Sequence, residues 1–336
     1  AWRRPLLVTH EKPDGDALGS LVAMRALLHS QGIQPTALLF DSIPTRYELF
    51  LRFPPIPILG RDVHASDLDA CDAVVVLDTC AYAQLRPIAE WLRAATKPKL
   101  AIDHHATRDA LADFYLIDEP AAANCLILYN WARAVKWPID ADTGEALFVG
   151  MAMDTGWFRH SNTDHRVLAA AADLVARGVR PHELYESLFL RESAARVRLQ
   201  SAAIATMELL AGDRAAVMTL TRRAFADAGA TAADTEDIVN EPLRMASVVV
   251  SMLLVEHDDG VVHVSFRSKP PLEVPVGSTR AVQPDIDVAA FAQSFGGGGH
   301  RRASGARIPG ALPDVRRKHV ESLVERIVQK TGSDPR

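Results

Sequence analysis

The chain has 336 residues, is 48% hydrophobic and 24% charged, and carries a formal charge of −5 with a pI near 6.2. That length predicts about two domains, each able to bury a core of its own. The acidic balance argues against a protein that grips long nucleic acid through bulk positive charge, and no apolar run reaches the roughly 18 residues of a membrane span.

Leu6-Leu7-Val8-Thr9 reads as a short buried strand running into the polar cluster His10-Glu11-Lys12-Pro13-Asp14-Gly15-Asp16. A helix follows, because Leu18, Leu21, Val22, Met24 and Leu28 recur at mostly helical spacing before Gly32 stops it. Pro35 to Phe40 is the next strand candidate, and the proline-rich stretch from Pro44 to Pro57 reads as a loop with a short helix. Asp72-Ala73-Val74-Val75-Val76-Leu77-Asp78 is the strongest strand signal: β-branched, continuous and closed by an acid. A helix is predicted from about Ala83 to Ala95. A strand from Pro98 to Ile102 then leads into Asp103-His104-His105.

Strands alternating with helices predict an α/β domain with a doubly wound, mostly parallel sheet. In such sheets ligands collect beyond the carboxyl ends of the strands. Three strand candidates here end in polar clusters, at His10 to Asp16, at Asp78 and at Asp103 to His105. Helical stretches follow at Ala121 to Val135, Thr143 to Met153 and Asp164 to Arg177, with Asp154-Thr155-Gly156 after the second. Pro181 opens another helix, and Ser193 to Leu210 reads as one long helix ended by Gly212-Asp213.

The remainder predicts a smaller α/β domain with a mixed sheet. Ala215 to Leu220, Ser247 to Val255 and Val261 to Arg267 read as strands, the last two joined by the turn signal Asp258-Asp259-Gly260. Pro270 to Pro284 reads as an irregular loop, and Asp287 to Ser294 as a short helix with Asp287 at its N-cap. After Gly296-Gly297-Gly298-Gly299-His300, a last strand is marked by Ile308 and a terminal helix by Leu312 to Lys330. The expected organisation is a first domain over residues 1–185, a helical connector over 186–212 and a second domain over 213–332. The first, whose strand ends carry the polar clusters, is the candidate for metal binding and catalysis, and the second is the candidate for substrate binding. Cys71, Cys80 and Cys125 are odd in number and lack Cys-x-x-Cys spacing, so reduced thiols are expected. With no apolar signal core in Ala1-Trp2-Arg3-Arg4-Pro5, the cytoplasm is the expected location.

Carboxylates with one or two imidazoles suit Mn²⁺, Mg²⁺ or Fe²⁺ better than thiolate-loving ions. Asp14, Asp16, Asp78 and Asp154, with His10 and His104, are the candidate ligands. Several acids converging without metal would repel one another and raise their pKa values, a conflict that two divalent ions remove. Asp14 or Asp154 taken singly could equally be a cap or turn residue; all the clusters together, each after an element end, argue for one site. Asp103 is expected to orient His104 from behind it, and His105 to contact phosphate or donate a proton. The glycine run can expose backbone N–H groups as an anion-binding nest, so Gly297, Gly298, Gly299 and His300 are candidate substrate contacts. Arg267, with Ser268 beside it, can grip a phosphate through paired hydrogen bonds, and Arg159 is a further candidate.

Thr9-His10-Glu11-Lys12-Pro13-Asp14-Gly15-Asp16, Leu77-Asp78-Thr79, Asp103-His104-His105 and Met153-Asp154-Thr155-Gly156 resemble the four motifs of the DHH phosphoesterase superfamily. Val264-Ser265-Phe266-Arg267-Ser268, and Phe295 to His300 with Ala303 to Gly305, resemble its DHH-associated C-terminal domain. By size and motif wording the chain is most similar to the bacterial nanoRNase/pAp phosphatase (NrnA-like) branch. The resemblance implies two Mn²⁺ ions, with Mg²⁺ as a substitute. It implies that His10, Asp14 and Asp78 hold one ion and that Asp16, Asp78, His104 and Asp154 hold the other, Asp78 bridging. It further implies hydrolysis of very short RNA to mononucleotides and of 3′-phosphoadenosine 5′-phosphate (pAp) to AMP, with dinucleotides such as pApA fitting the same pocket, and a homodimer as the oligomeric candidate. The rival activities are a phosphodiesterase acting on cyclic di-AMP or pApA, a RecJ-like single-strand exonuclease, and, in a different class, a nucleotide-binding protein without catalysis.

Overall fold

The computed structural model describes residues 2–106, 108–257, 260–271 and 284–331. The turn signal at Asp258-Asp259 and most of the loop expected between Pro270 and Pro284 lie outside the described residues. The chain divides into two compact units, Ala1–Arg191 and Glu192–Arg336. The segment expected as a separate connector therefore falls on both sides of that division.

In the first unit the strands are β1 (Pro5–Val8), β2 (Thr36–Leu38), β3 (Ala73–Leu77), β4 (Lys99–Asp103) and β5 (Phe114–Ile117). They lie in the order β2-β1-β3-β4-β5, and every neighbouring pair is parallel. The helices are α1 (Gly15–His29), α2 (Ala89–Ala94), α3 (Asn124–Ala134), α4 (Ala141–Asp154), α5 (His165–Ala176) and α6 (Pro181–Phe189). Successive strand residues point to opposite faces. Leu7, Val75, Leu77 and Ile102 face the core shared with α1, α3 and α4, while Leu6, Val8, Val74, Val76 and Ala101 face the core containing Leu85, Ile88 and Leu92. Burial on both faces is why β3 reads as an unbroken apolar run. α1 is buried almost all round, as a helix apolar on every side must be, and its tightest partner is α4. The helix predicted from Ala83 to Ala95 is instead two 3-10 turns and the short α2. Pro87 has no N–H to continue an α-helical ladder.

The second unit runs α7 (Ala194–Ala205), β6 (Glu208–Leu210), β7 (Ala215–Leu220), α8 (Arg222–Ala228), β8 (Val250–Glu256), β9 (Val261–Ser268), α9 (Val288–Gln293), β10 (Gly298–His300), β11 (Ala303–Pro309) and α10 (Leu312–Thr331). Its sheet has the order β10-β11-β9-β8-β7-β6, with β7 and β8 parallel and the other pairs antiparallel, so it is mixed as expected. The long helix expected to reach Leu210 stops at Ala205. The Thr206 hydroxyl turns the chain by donating to the Ala203 carbonyl, and it accepts from the backbone N–H of Thr219 at 2.9 Å, so that β6 begins beside β7. Phe266 and Phe291 meet edge to face, 5.2 Å between centroids, in this unit's core. Among the described residues no helix is long and apolar enough to cross a membrane.

Candidate metal centre

The order β2-β1-β3 reverses direction between β1 and β3, which opens a crevice beyond their carboxyl ends. His10 follows β1, Asp78 follows β3 and His104 follows β4. Asp14 is the N-cap of α1, its Oδ1 accepting from the backbone N–H of Asp16 (3.0 Å) and Ala17 (3.1 Å). Asp16 lies in the first turn of α1, and Asp154 is the last residue of α4. The cap role and a ligand role are thus compatible for Asp14, whose side chain is half exposed.

The six side chains converge. The groups His10–Asp14–Asp78 and Asp16–His104–Asp154 each place one potential ligand atom per residue within 4.8 Å of the others. Asp78 is central. Its Oδ2 lies 3.7 Å from His10 Nε2 and its Oδ1 3.4 Å from His104 Nε2. His104 Nε2 also faces Asp154 Oδ2 at 3.2 Å and Asp16 Oδ2 at 3.9 Å, and His10 Nε2 faces Asp14 Oδ1 at 4.0 Å. Both imidazoles are oriented from behind. His10 Nδ1 lies 2.8 Å from the Glu11 carbonyl and His104 Nδ1 3.0 Å from the Ala121 carbonyl. A proton on each Nδ1 leaves the Nε2 lone pair directed at the carboxylates, the tautomer a metal ligand needs. Glu11 is itself pinned, its N–H on the Gln84 carbonyl and its carboxylate on the Arg86 guanidinium.

Charge and burial test whether ions belong there. Asp78 Oδ1 and His104 Nε2 are buried without a hydrogen-bond partner. Native interiors seldom leave such atoms unpaired without a reason. Burial, with the Asp78 and Asp154 charges, raises the pKa of Asp14 and raises that of Asp16 strongly. Burial also acts to raise Asp78, but the two imidazoles outweigh it and hold its pKa below the usual range. Burial alone would lower the histidines. Asp78 nevertheless lifts His10 to about 9, and Asp154 and Asp78 lift His104 to about 11. A site that recruits protons this strongly is short of positive charge. Two divalent cations would balance the four carboxylates, and the oxygen-and-imidazole donor set suits hard or borderline ions. The residues fit such ions.

Asp103 and His105 are held differently from the six candidate ligands, although His105 also lies within ligand distance of Asp78 and His104. Asp103 was expected to orient His104. Instead its Oδ1 accepts from the backbone N–H groups of His104 (2.8 Å) and His105 (3.1 Å) and meets the ring Nδ1 of His105 at 2.7 Å. The ring of His104 is held by Ala121. With Nδ1 committed to Asp103, His105 has only Nε2 to offer, on a half-exposed ring beside the ligands. Arg159 is exposed on the turn after Asp154, its Nε donating to the Gly156 carbonyl at 2.7 Å.

The sequence reading missed the supporting segment 118–124. Arg166 clamps it, Nη1 to Asp118 (3.1 Å) and Nη2 to the Pro120 carbonyl (2.5 Å). Asn162 Nδ2 joins the carbonyls of Ala122 (3.1 Å) and Asp154 (3.2 Å). One available signal was Arg166 and Asn162 flanking a helix start. The backbone carbonyls they hold have no signature in sequence.

In the second unit the sheet register sets His300, Ala303, Arg267 and Ser251 in one row across four strands. Arg267 is half-buried and donates from Nη1 to the Phe266 carbonyl at 3.0 Å. Burial lowers its pKa while Asp237 pulls the other way. Ser268 is buried, its hydroxyl donating to the Ile286 carbonyl at 2.7 Å, so its hydrogen is spent inside the protein. The glycine run is not an open nest. Gly296 and Gly297 donate their N–H groups to the Gln293 and Ala292 carbonyls, and Gly298 and Gly299 enter the edge strand β10. Gly299 has φ +136, and a Cβ there would sit 2.6 Å from the Ala303 carbonyl oxygen. The His300 side chain lies outside the described residues. Arg301 and Arg302 both pair with Asp285.

Comparison with known proteins supplies the context. The model of the DHH family, N-terminal domain, matches residues 5–151, and that of the DHHA1 domain matches residues 212–331. The chain is 28% identical over 334 residues to the bifunctional oligoribonuclease and PAP phosphatase NrnA of Thermus thermophilus, covering 97% of this chain and 90% of that one. It is 24% identical over 308 residues to the protein of the same name from Bacillus subtilis, covering 90% and 88%. Its fold matches an exopolyphosphatase-related protein from Bacteroides fragilis with a TM-score of 0.84 at 21% identity, over 97% of this chain and 92% of that one.

Proposed function

The chain belongs to the DHH family through its N-terminal domain and carries a DHHA1 domain behind it, and on that premise we propose that it is a Mn²⁺-dependent phosphoesterase. Its substrates are RNA oligonucleotides of very few residues, cleaved to mononucleotides, and pAp, cleaved to AMP. Relatives whose names carry those two activities align along most of the chain. The observation that carries the reading is the placement of Asp78, whose two carboxylate oxygens face different imidazoles, His10 and His104.

In this reading His10, Asp14 and Asp78 would hold one ion, and Asp16, His104 and Asp154 would hold the other together with Asp78. Ions bound there would supply Lewis-acid charge at phosphorus and a water acidic enough to attack near neutral pH. His105, held at Nδ1 by Asp103, keeps Nε2 to hold or deliver a proton at the departing oxygen. Arg267 on β9 grips a substrate phosphate, with Gly298, Gly299 and His300 on β10, two strands along the sheet. Ser268 is a support for this segment rather than a contact.

The test is kcat/KM at fixed Mn²⁺ across RNA of about two to twenty residues, pAp and cyclic di-AMP. The reading predicts a steep fall with RNA length and turnover of pAp. A flat length profile, or turnover confined to cyclic di-AMP, contradicts it.

A further inference from the structure

Asp78 occupies the left-handed region of backbone space, φ +60. A β-carbon-bearing residue stays there only when its surroundings hold it. One of the buried residues outside the ligand set that meet this stretch is Asn124, whose amide reaches the Asp78 backbone itself. Asn124, wholly buried, opens α3. Its amide has one orientation that satisfies all its neighbours. In it Nδ2 donates to the Ile102 carbonyl at 3.0 Å, while Oδ1 accepts from the Ser20 hydroxyl at 2.9 Å and from the backbone N–H of Asp78 at 3.3 Å. The Asp78 N–H also donates to the Ile102 carbonyl at 2.9 Å. The Asn124 amide thus brackets the ends of β3 and β4. Its own backbone N–H donates to Asp16 Oδ2 at 2.5 Å, and the next N–H, of Cys125, donates to Asp16 Oδ1 at 2.9 Å.

One residue therefore touches three of the elements that deliver the centre: α1 through Asp16 and Ser20, the end of β3 through Asp78, and β4 through Ile102, two residues before His104. An amide has the inventory for this, two donors and a two-lone-pair acceptor in one plane. An ionised carboxylate has no donor, and a hydroxyl carries its donor and acceptor on one atom, so it cannot reach the Ile102 carbonyl from one atom while accepting at a second. We propose that Asn124 is the positioning residue of the metal centre, setting the Asp78 carboxylate between the two ion positions and fixing Asp16 beside it. The inference rests on the two-ion reading above.

The experiment uses the full chain, with Mn²⁺ alone as the probe. Mn²⁺ binding is measured by calorimetry, and the rise in melting temperature on adding Mn²⁺ is measured for the wild type, Asn124→Ala, Asn124→Asp and Ser20→Ala. Outer partners of metal ligands typically contribute about ten- to a hundredfold in affinity. Asn124→Ala should weaken Mn²⁺ binding by about that factor and shrink the Mn²⁺-induced rise. In turnover kcat should fall with KM little changed. Asn124→Asp keeps the acceptor but loses the donor to Ile102, and should not rescue. Ser20→Ala leaves the amide in place but unsteadied, and should weaken Mn²⁺ binding less than Asn124→Ala does; it carries the test if Asn124→Ala fails to fold. A residue that merely fills space would lower the metal-free melting temperature and leave the Mn²⁺-induced rise intact. That result for Asn124→Ala, or for Ser20→Ala where Asn124→Ala does not fold, overturns the assignment while the two-ion reading stands. A wild type that binds no Mn²⁺ overturns both.

Discussion

Gly150→Ala turns the packing of α4 against the centre into a number. Gly150 is buried in α4, where alanine would ordinarily stabilise the helix by about 1 kcal/mol. Here the new methyl carbon would lie 2.3 Å from Cys125 Sγ, 2.6 Å from Asp16 Oδ1 and 2.8 Å from Cys125 Cβ. Overpacking of this kind costs about 1–3 kcal/mol. Asp16 cannot retreat freely, because both its oxygens are held by the first N–H groups of α3. Losing one such charge-assisted bond costs roughly another 1.5–3 kcal/mol. The net is a loss of about 2–5 kcal/mol, which for a unit of this size is on the order of 10 °C in melting temperature. Because the carboxylate displaced is a proposed ligand, Mn²⁺ affinity should fall as well. Gly144→Ala, on the same helix, is the control. Its methyl would meet Val179 Cγ2 at 3.3 Å and Leu174 Cδ2 at 3.5 Å, both free ends of side chains, and its effect should stay within about 1 kcal/mol. Melting curves with and without Mn²⁺ separate the two. A Gly150→Ala variant as stable as Gly144→Ala and undiminished in Mn²⁺ binding refutes the reasoning.

Other perturbations report on the remaining parts. His105→Ala should keep full Mn²⁺ content and lose about 10²–10⁴ in kcat; metal analysis showing lost Mn²⁺ would make His105 a ligand instead. Arg267→Ala should raise KM about ten- to a hundredfold, the worth of a charge-assisted hydrogen bond, with kcat and Mn²⁺ content near normal. The pH response follows from the imidazoles, which hold protons up to about 9 on His10 and about 11 on His104 when no ion competes. Both values lie above the ordinary histidine value. Their contribution to stability in the metal-free protein is therefore complete below about 6.5 and fades as pH rises through the raised values. Ligation needs neutral imidazole, so Mn²⁺ binding near neutral pH should release protons and tighten as pH rises. Calorimetry in two buffers of different ionisation enthalpy checks this, and identical heats in both would contradict it.

How far the site could be read in advance depends on what kind of group each part uses. The candidate ligands were legible because side chains that bind ions are rare in apolar strands, and β3 announces its end with Asp78 after an unbroken β-branched run. The doubly wound sheet followed from the same alternation. β5 was not foreseen: Phe114, Tyr115 and Leu116 are exposed at the sheet edge, so the short strand lacks the two-sided burial that marks β3. The glycine segment reads as an anion-binding nest rather than a linker, and glycine has no side chain to show a strand face; the structure pairs Gly298–His300 with β11. The frame behind the ligands was the least legible part. The Ala121 carbonyl that orients His104 belongs to an alanine, and any residue there presents the same oxygen. Asn124 did leave a trace, a single amide set between Ala121-Ala122-Ala123 and Cys125-Leu126, where a polar side chain would be buried and would need partners.

The central claim is that Asp78 is shared by two ions. Anomalous diffraction from crystals of the full chain soaked in Mn²⁺ measures this directly. The account predicts two peaks about 3.5–4 Å apart, the spacing of two-ion sites, with one Asp78 oxygen or carboxylate reaching both. A single peak, or two peaks of which only one contacts Asp78, would contradict it.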